Sequence, residues 1–522
     1  MSSNAPHTDD VKQLHGMGYA QELSRRMSGF SNFAISFSII CILAGGITTF
    51  AVGFSGAGGG GVALGWLVGG AFAVVVSLAM GQIASAYPTA GGLYHWASIL
   101  GGRFWGWATA WFNLLGLIFV VSSVDVGVFQ LFRDLVLNGI FKVDVSGPAW
   151  QATGSGSFPG AIWLVGTAVI LASHALLNHF GIRITTILTD ISGYLILAVA
   201  VVLTLSLLIF SPVPLDFSRL LTFTNFTGDA GGGVWPAHAS VFVAFVLGLL
   251  LVTYTITGYD ASAHTSEETH QAAINVPRGM WQAVLWSVIF GFFMVCSFVL
   301  SMPSVTEGAA AGWGVFFYTM SSSRMPTILL DLLYVGIVAA NYLCGLAGVT
   351  STSRMMYAFA RDGGLPASKA LSTISPKYRT PTIAIWVSAA LSLASCVYGG
   401  AFVVLAAGCA VFLYISYVMP VAAGILAEGK TWTKKGPFNL GALSKINAVL
   451  AVIGGLVLIW VGFQPPNHFV GYLIVGLVVV MLILWYGLER RRFAGPPTGE
   501  QIAARQASIA EIEAKLEKGA AD

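Results

Sequence analysis

The sequence predicts an all-α polytopic membrane protein with 12 transmembrane helices. Three observations carry this. The 522-residue chain is 56% hydrophobic and 9% charged, with a mean hydropathy of +0.79, whereas soluble domains carry about 25% charged residues. Its apolar runs divide into twelve stretches, and about 20 residues cross about 30 Å of hydrocarbon. The basic residues fall almost wholly on one side: 21 of the 25 Lys and Arg lie on segments sharing a face with both termini, against Arg133, Lys142, Arg219 and Arg324 on the other. That asymmetry predicts cytoplasmic termini in a plasma or inner membrane.

Composition also excludes some classes. A net charge of +3 is too small to suggest nucleic-acid binding. Cys41, Cys296, Cys344, Cys396 and Cys409 all sit in apolar spans without a CxxC pair, so neither a disulfide framework nor a metal site is expected. The N-terminus is polar to about Ser28, so no cleavable signal peptide is expected.

Residues 1–30 read as a polar tail. Spans follow at about 31–54, 62–87, 104–131, 160–179, 184–210, 239–264, 281–301, 327–357, 381–399, 401–426, 446–463 and 468–488. Residues 31–210 then form a first five-helix unit and 211–426 a second, 427–488 holds the last two helices, and 489–522 is a charged tail.

Span one carries Ala44-Gly45-Gly46 near its middle, then Thr48-Thr49. Taken alone, such small residues fit close helix packing. Span six, within SVFVAFVLGLLLVTYTITGYDASAHTSEET (240–269), starts as a plain apolar span. Then Tyr254, Thr255, Thr257, Tyr259, Asp260 and Ser262 crowd around Gly258. Lipid offers no water to freed peptide groups, so such an interruption needs protein or a wet cavity beside it. Two glycine-bearing, polar mid-depth stretches five spans apart predict broken helices 1 and 6 facing each other in an inverted repeat. The loops agree: PTAGGLYHWASILGGRF after span two and PSVTEGAAAGWGVFFYTMSSS after span seven both start with proline and carry interfacial aromatics.

Elsewhere, ionisable residues inside spans are few. Asp125 in span three is a candidate substrate contact, with a headgroup-level position as the alternative. Asn113 reads as an interhelical hydrogen-bond partner. His174 reads as a buried, satisfied histidine or an interfacial one rather than a proton relay, and Asp190 as lining the inner pathway or pairing within the bundle. Span eight concentrates hydroxyls at Thr350, Ser351, Thr352 and Ser353, and Thr350 and Ser351 form a candidate ion site. Arg25 or Arg26 could close the inner path against Asp362, Glu267 or Glu268, although exposed pairs contribute only about 0–1 kcal/mol. Spans nine to twelve read as scaffold. Ile502, Ile509, Ile512 and Leu516 give the tail a short amphipathic helix, lying on the inner face or touching a partner.

Several segments resemble the amino acid–polyamine–organocation (APC) superfamily of permeases: YPTAGGLYHWAS at 87–98, GYDASAHTSEETHQAAINVPRGM at 258–280 and SRMMYAFARDGGLP at 353–366. The opening GYAQELSRRMSGFSNFAISFS is similar to the amino acid/choline transporter branch, which includes 4-aminobutyrate, choline and polyamine permeases. The resemblance implies a 5+5 inverted repeat with two extra helices, and alternating access. It implies a substrate carboxylate or polar head at Ala44, Gly45, Gly46, Ile47 and Thr48, and an amine near Tyr254 and Thr257. The family's acidic residue matches Asp260. Span five lacks the lysine of some proton-coupled relatives, so coupling to Na+, to H+ or by exchange stays open.

The sequence therefore predicts a secondary active transporter of a small amine-bearing solute, such as the amino acid 4-aminobutyrate. A choline-, polyamine- or ethanolamine-type permease and a non-transporting nutrient sensor are the alternatives. No catalytic constellation, metal cluster or phosphate loop marks an enzyme, and no cofactor is expected.

Overall fold

A computed structural model describes residues 5–152, 158–397 and 401–521; the predicted end of span nine at 398–399 lies outside them. Among the described residues, ten helices are long and apolar enough to cross a membrane. Two shorter apolar helices, Val241–Thr255 and Thr382–Ser395, stand where spans six and nine were expected. Together they make the twelve spans. Their depth in the bundle differs sharply: spans one, three and ten are 89%, 83% and 83% buried, spans eleven and twelve 22% and 28%. Polar chemistry can be housed in the first group, whereas the last two present apolar faces suited to lipid.

Span one starts as Gly29–Ile40, resumes as Ile42–Thr48, and continues from Phe50 to a reversal at Ala57 and Gly58 (φ +65°), where span two begins. It runs antiparallel to span six along its whole length. Near the termini, Asn32 Nδ2 donates to the Ser262 carbonyl (3.0 Å), and Ser36 Oγ donates to the Tyr259 carbonyl (2.8 Å). Beyond the breaks, a methyl on Gly45 would lie 2.6 Å from Thr255 Cα, and one on Gly56 2.7 Å from the Ala244 carbonyl oxygen. Glycine thus lets the two backbones touch, as small residues do in membrane helices. Around this pair, span two packs on span seven and span three on spans eight and ten.

Both tails meet on one face. The C-terminal helix Glu500–Ala521 lies against the N-terminal segment. His15 Nε2 is 2.8 Å from Glu513 Oε1, and Leu516 shares an apolar cluster with Leu23 and Tyr357. The amphipathic stripe predicted in the tail thus docks on the chain's own N-terminal segment.

Close packing at Gly45 yields a first test. Gly45→Val forces atoms onto backbone and should cost about 1–3 kcal/mol, read as a lower melting temperature of the detergent-solubilised protein. Gly46→Ala meets the mobile end of Met294 instead and should melt close to the parent.

Candidate functional site

The break in span six follows the sequence closely. The outer half ends at Thr255. Ile256 leaves helical geometry (φ −99°, ψ 63°), Gly258 sits at φ +81°, and helix resumes at Ala261. A methyl on Gly258 would lie 2.1 Å from Ile39 Cγ2, so both conformation and space demand glycine. The freed peptide groups are answered by side chains. Tyr414 OH donates to the Ile256 carbonyl (2.8 Å), and the Gly258 N–H donates to Tyr417 Oη (3.0 Å). Thr257 Oγ1 donates to the Tyr254 carbonyl, and the Ser262 N–H to Ser36 Oγ. Span ten therefore belongs to the site; reading spans nine to twelve as scaffold is corrected. Its signal was Tyr414 and Tyr417 one turn apart beside Ser416.

The break in span one falls three residues earlier than expected. Cys41, at φ +26° and ψ 85°, separates the two halves, while Ala44, Gly45, Gly46, Ile47 and Thr48 lie inside the resumed helix. The glycines that suggested a break serve close packing instead. Helix starts leave their first N–H groups without intrahelical partners, and here these belong to Ile42 and Leu43. Span eight covers the break: Cys344 Sγ donates to the Ile39 carbonyl (3.2 Å), and Asn341 Nδ2 to the Leu43 carbonyl (3.2 Å).

Between the two breaks lies a narrow, nearly filled cavity of about 10 Å³. Ala44, Gly45, Tyr254, Thr255 and Thr257 line it with Ile39, Ile40, Val120, Val124 and Cys409. Gly46, Ile47, Thr48 and Gly258 are outside this lining. Gly46 faces Met294, and the Thr48 hydroxyl donates to the Ala44 carbonyl. A second narrow cavity, about 20 Å³, lies beyond it, away from the termini, among Val52, Trp235, Trp313 and Phe402. The edge-to-face pair Tyr254–Phe402, with centroids 6.4 Å apart, stands between them.

Asp260 lies beneath the cavity, fully buried. Its Oδ1 accepts from Tyr417 OH (2.7 Å) and its Oδ2 from Asn113 Nδ2 (2.8 Å), with His264 Nε2 3.1 Å from Oδ2. Asp260 thus braces the break from below and does not line the cavity. Asn113 is the interhelical partner it was read to be. Asp125, one residue past the lining Val124, also turns away: its Oδ1 is 3.1 Å from His174 Nδ1, and both side chains are fully buried against Gly345. The two isolated polar residues of the sequence lie side by side at ion-pair distance without hydrogen-bond geometry, so His174 is not the satisfied histidine expected. Asp190 likewise pairs within the bundle, accepting from Ser31 Oγ at 3.1 Å.

The residues of the expected ion site lie apart from the span-one break. Thr350 Oγ1 donates to Asn178 Oδ1 (2.7 Å) on span four, while span eight meets the span-one break through Ala340, Asn341 and Cys344, two to three turns away. Ser351 is buried at the same level as Thr350.

The expected charged residues do gather on the terminal face, with different partners. Glu268 makes a bidentate pair with Arg354 (3.1 Å and 3.1 Å), and Glu267 with Arg361 (3.1 Å and 3.0 Å). Arg25 donates instead to the Ser266 and Thr269 carbonyls. Arg26 offers its backbone N–H to the Glu268 carbonyl and its guanidinium to Ser24. Asp362 accepts from Tyr19 OH (2.7 Å) and Tyr94 OH (3.1 Å) and faces Arg505 at 3.5 Å. Burial pushes the Asp362 carboxyl up, with Arg361 opposing. Removing one partner of a buried pair strands a charge and costs about 3–5 kcal/mol; with both partners present, the two pairs close the terminal face.

The amino acid permease family model matches residues 27–484. The chain is 35% identical over 519 residues to the amino-acid permease BAT1 of Arabidopsis thaliana, covering 93% of this chain and 95% of the relative. It is 33% identical over 522 residues to the BAT1 homolog of Oryza sativa subsp. japonica, with the same coverage. It is 27% identical over 410 residues to the GABA-specific permease of Saccharomyces cerevisiae, covering 75% of this chain and 66% of the relative. The matched region takes in both broken helices, the cavity between them and the charged layer beneath, and the chain belongs to the amino acid permease family, as a membrane transporter and not an enzyme.

Proposed function

We propose that the protein moves a small zwitterionic amino acid, with 4-aminobutyrate the leading candidate, by binding it between Ala44-Gly45 and Tyr254–Thr257. The observation that carries this is the cavity enclosed by two half-helix ends. A helix start attracts a carboxylate and a helix end attracts an ammonium. The resumed helix after Cys41 and the outer half of span six ending at Thr255 offer those two poles across this narrow cavity. The wall between is aliphatic at Ile39, Ile40, Val120 and Val124, suiting a short carbon chain. The yeast relative bears the name GABA-specific permease. A choline- or polyamine-type cation fits less well, because Asp125 and Asp260 are engaged outside the cavity lining.

Alternating access requires one face to open as the other closes. The charged layer of Glu267, Glu268, Arg354, Arg361 and Asp362, strapped by Tyr19 and Arg25, would serve as the gate on the terminal face. We assign that face to the cytoplasm, because 21 of the 25 basic residues lie on it.

In proteoliposomes, uptake of radiolabelled 4-aminobutyrate should saturate and be competed by small amino acids, with choline and putrescine weak competitors. Competition by choline alone would shift the substrate to the cationic class. Val124→Leu adds one methylene to this wall and should reduce uptake at least about tenfold, equivalent to about 1.4 kcal/mol, with a smaller fall in melting temperature than Gly45→Val. Asp125→Asn should change KM by less than about twofold, well under that 1.4 kcal/mol; a large rise would return Asp125 to the binding site.

A further inference from the structure

We infer that Asp260 and His264 together form a proton-binding site that couples transport to a proton and is loaded while the terminal face is shut; this rests on the permease reading above. The argument is one of hydrogen-bond direction. His264 Nδ1 is 3.1 Å from the Ala90 carbonyl oxygen. A carbonyl only accepts, so Nδ1 carries a hydrogen. The other ring nitrogen, Nε2, is 3.1 Å from Asp260 Oδ2. A neutral ring protonated at Nδ1 has a lone pair at Nε2, and a carboxylate offers only lone pairs. The contact therefore contains a further proton, as Nε2–H donating to the carboxylate or as Oδ2–H donating to the ring. Either way the pair holds one proton more than a carboxylate beside a neutral imidazole, and its net charge is zero. Both side chains are fully buried, where an uncompensated carboxylate would be costly.

The remaining bonds of Asp260 fit the carboxylate–imidazolium form. Tyr417 Oη accepts the Gly258 N–H, so its own hydrogen points at Asp260 Oδ1; Asn113 Nδ2 donates to Oδ2. Other ionisable groups stand on the surrounding elements, and Tyr259, next to Asp260, packs its ring on Tyr417 with centroids 4.8 Å apart. Arg354 and Arg361 of span eight pair with Glu268 and Glu267. Tyr417 of span ten is bonded as described, and Tyr414 donates to the Ile256 carbonyl. His95 on the helix Gly92–Gly101 packs against Tyr19 and Tyr87, and Arg278 on span seven is exposed. The inner half of span one contributes Asn32 and Ser36, which do not titrate.

The pair is wired to both ends of the transport cycle. Through Tyr417 it holds the Gly258 peptide beside the cavity. Through the Ala90 carbonyl it holds the segment whose N–H donates to Glu267 Oε1 (3.0 Å), the partner of Arg361. When the proton leaves Nε2 for water, two lone pairs face each other at Asp260, or the ring proton moves to Nε2 and the Ala90 contact is lost. Both outcomes loosen the link from Asp260 through His264 to Ala90 and Glu267. Proton binding favours the shut terminal face, and proton release favours opening.

The test uses the full chain in proteoliposomes holding a trapped pH dye, with no imposed gradient. Labelled 4-aminobutyrate is the first probe and labelled alanine the second. Wild-type uptake should acidify the lumen by one proton per solute. His264→Gln keeps a donor toward Asp260 yet takes up no proton, so acidification per solute should fall at least about tenfold. Wild-type uptake without acidification, or an unchanged ratio in His264→Gln, would overturn the inference. A second measurement needs no solute and guards against an inactive variant. A proton held by the folded protein stabilises at low pH and ceases to as pH rises through its release. The wild-type melting temperature should therefore fall with rising pH, and Asp260→Asn should flatten that slope. An identical slope in both would sink the proton site. Absent counterflow of either solute in wild type, with the slope difference intact, would count against the permease reading alone.

Discussion

A peptide group freed in the middle of a membrane must find a partner in protein, since lipid offers none. That requirement organises the centre of this molecule. At the span-six break, Tyr414 and Tyr417 reach in from span ten to take the Ile256 carbonyl and the Gly258 N–H, while Ser36 crosses from span one to the Tyr259 carbonyl. At the span-one break, Asn341 and Cys344 do the same from span eight. Each break is thereby tied to helices from elsewhere in the chain. Any shift of one broken half must be accompanied by its partners, which is what a transporter needs if a small solute is to move large helices.

The closure is lopsided. Toward the termini stand two buried bidentate ion pairs, the Tyr19–Asp362 and Tyr94–Asp362 bonds, and both tails. Away from the termini, the Tyr254–Phe402 contact divides the cavity from the vestibule. The structure therefore represents a state closed by ion pairs toward the termini and by aromatic packing on the other side.

The sequence was legible where local chemistry had one interpretation. Gly258 amid Tyr254, Thr257, Tyr259 and Asp260 could be little but an interrupted helix, and the structure interrupts it there. Ala44-Gly45-Gly46 was ambiguous, because small residues serve both breaks and close packing; packing claimed them, and the break moved to Cys41, whose left-handed backbone leaves no trace in residue type. Asp125 and His174 looked solitary because their partnership is made across spans three and four. Arg25 and Arg26 lay near the right acids, but Arg354 and Arg361, already inside span eight, needed carboxylates more urgently than the tail arginines did. Tyr414 and Tyr417 passed for core aromatics because only the fold brings their hydroxyls to the break.

The most direct test of the central claim is a cryo-EM map of the protein with saturating 4-aminobutyrate. The account predicts helices interrupted at Cys41 and at Ile256–Asp260, with solute density between the Ile42–Leu43 amides and the carbonyls near Tyr254. Unbroken helices through Cys41 and Gly258, or solute density seated instead against Asp125 and His174, would contradict it.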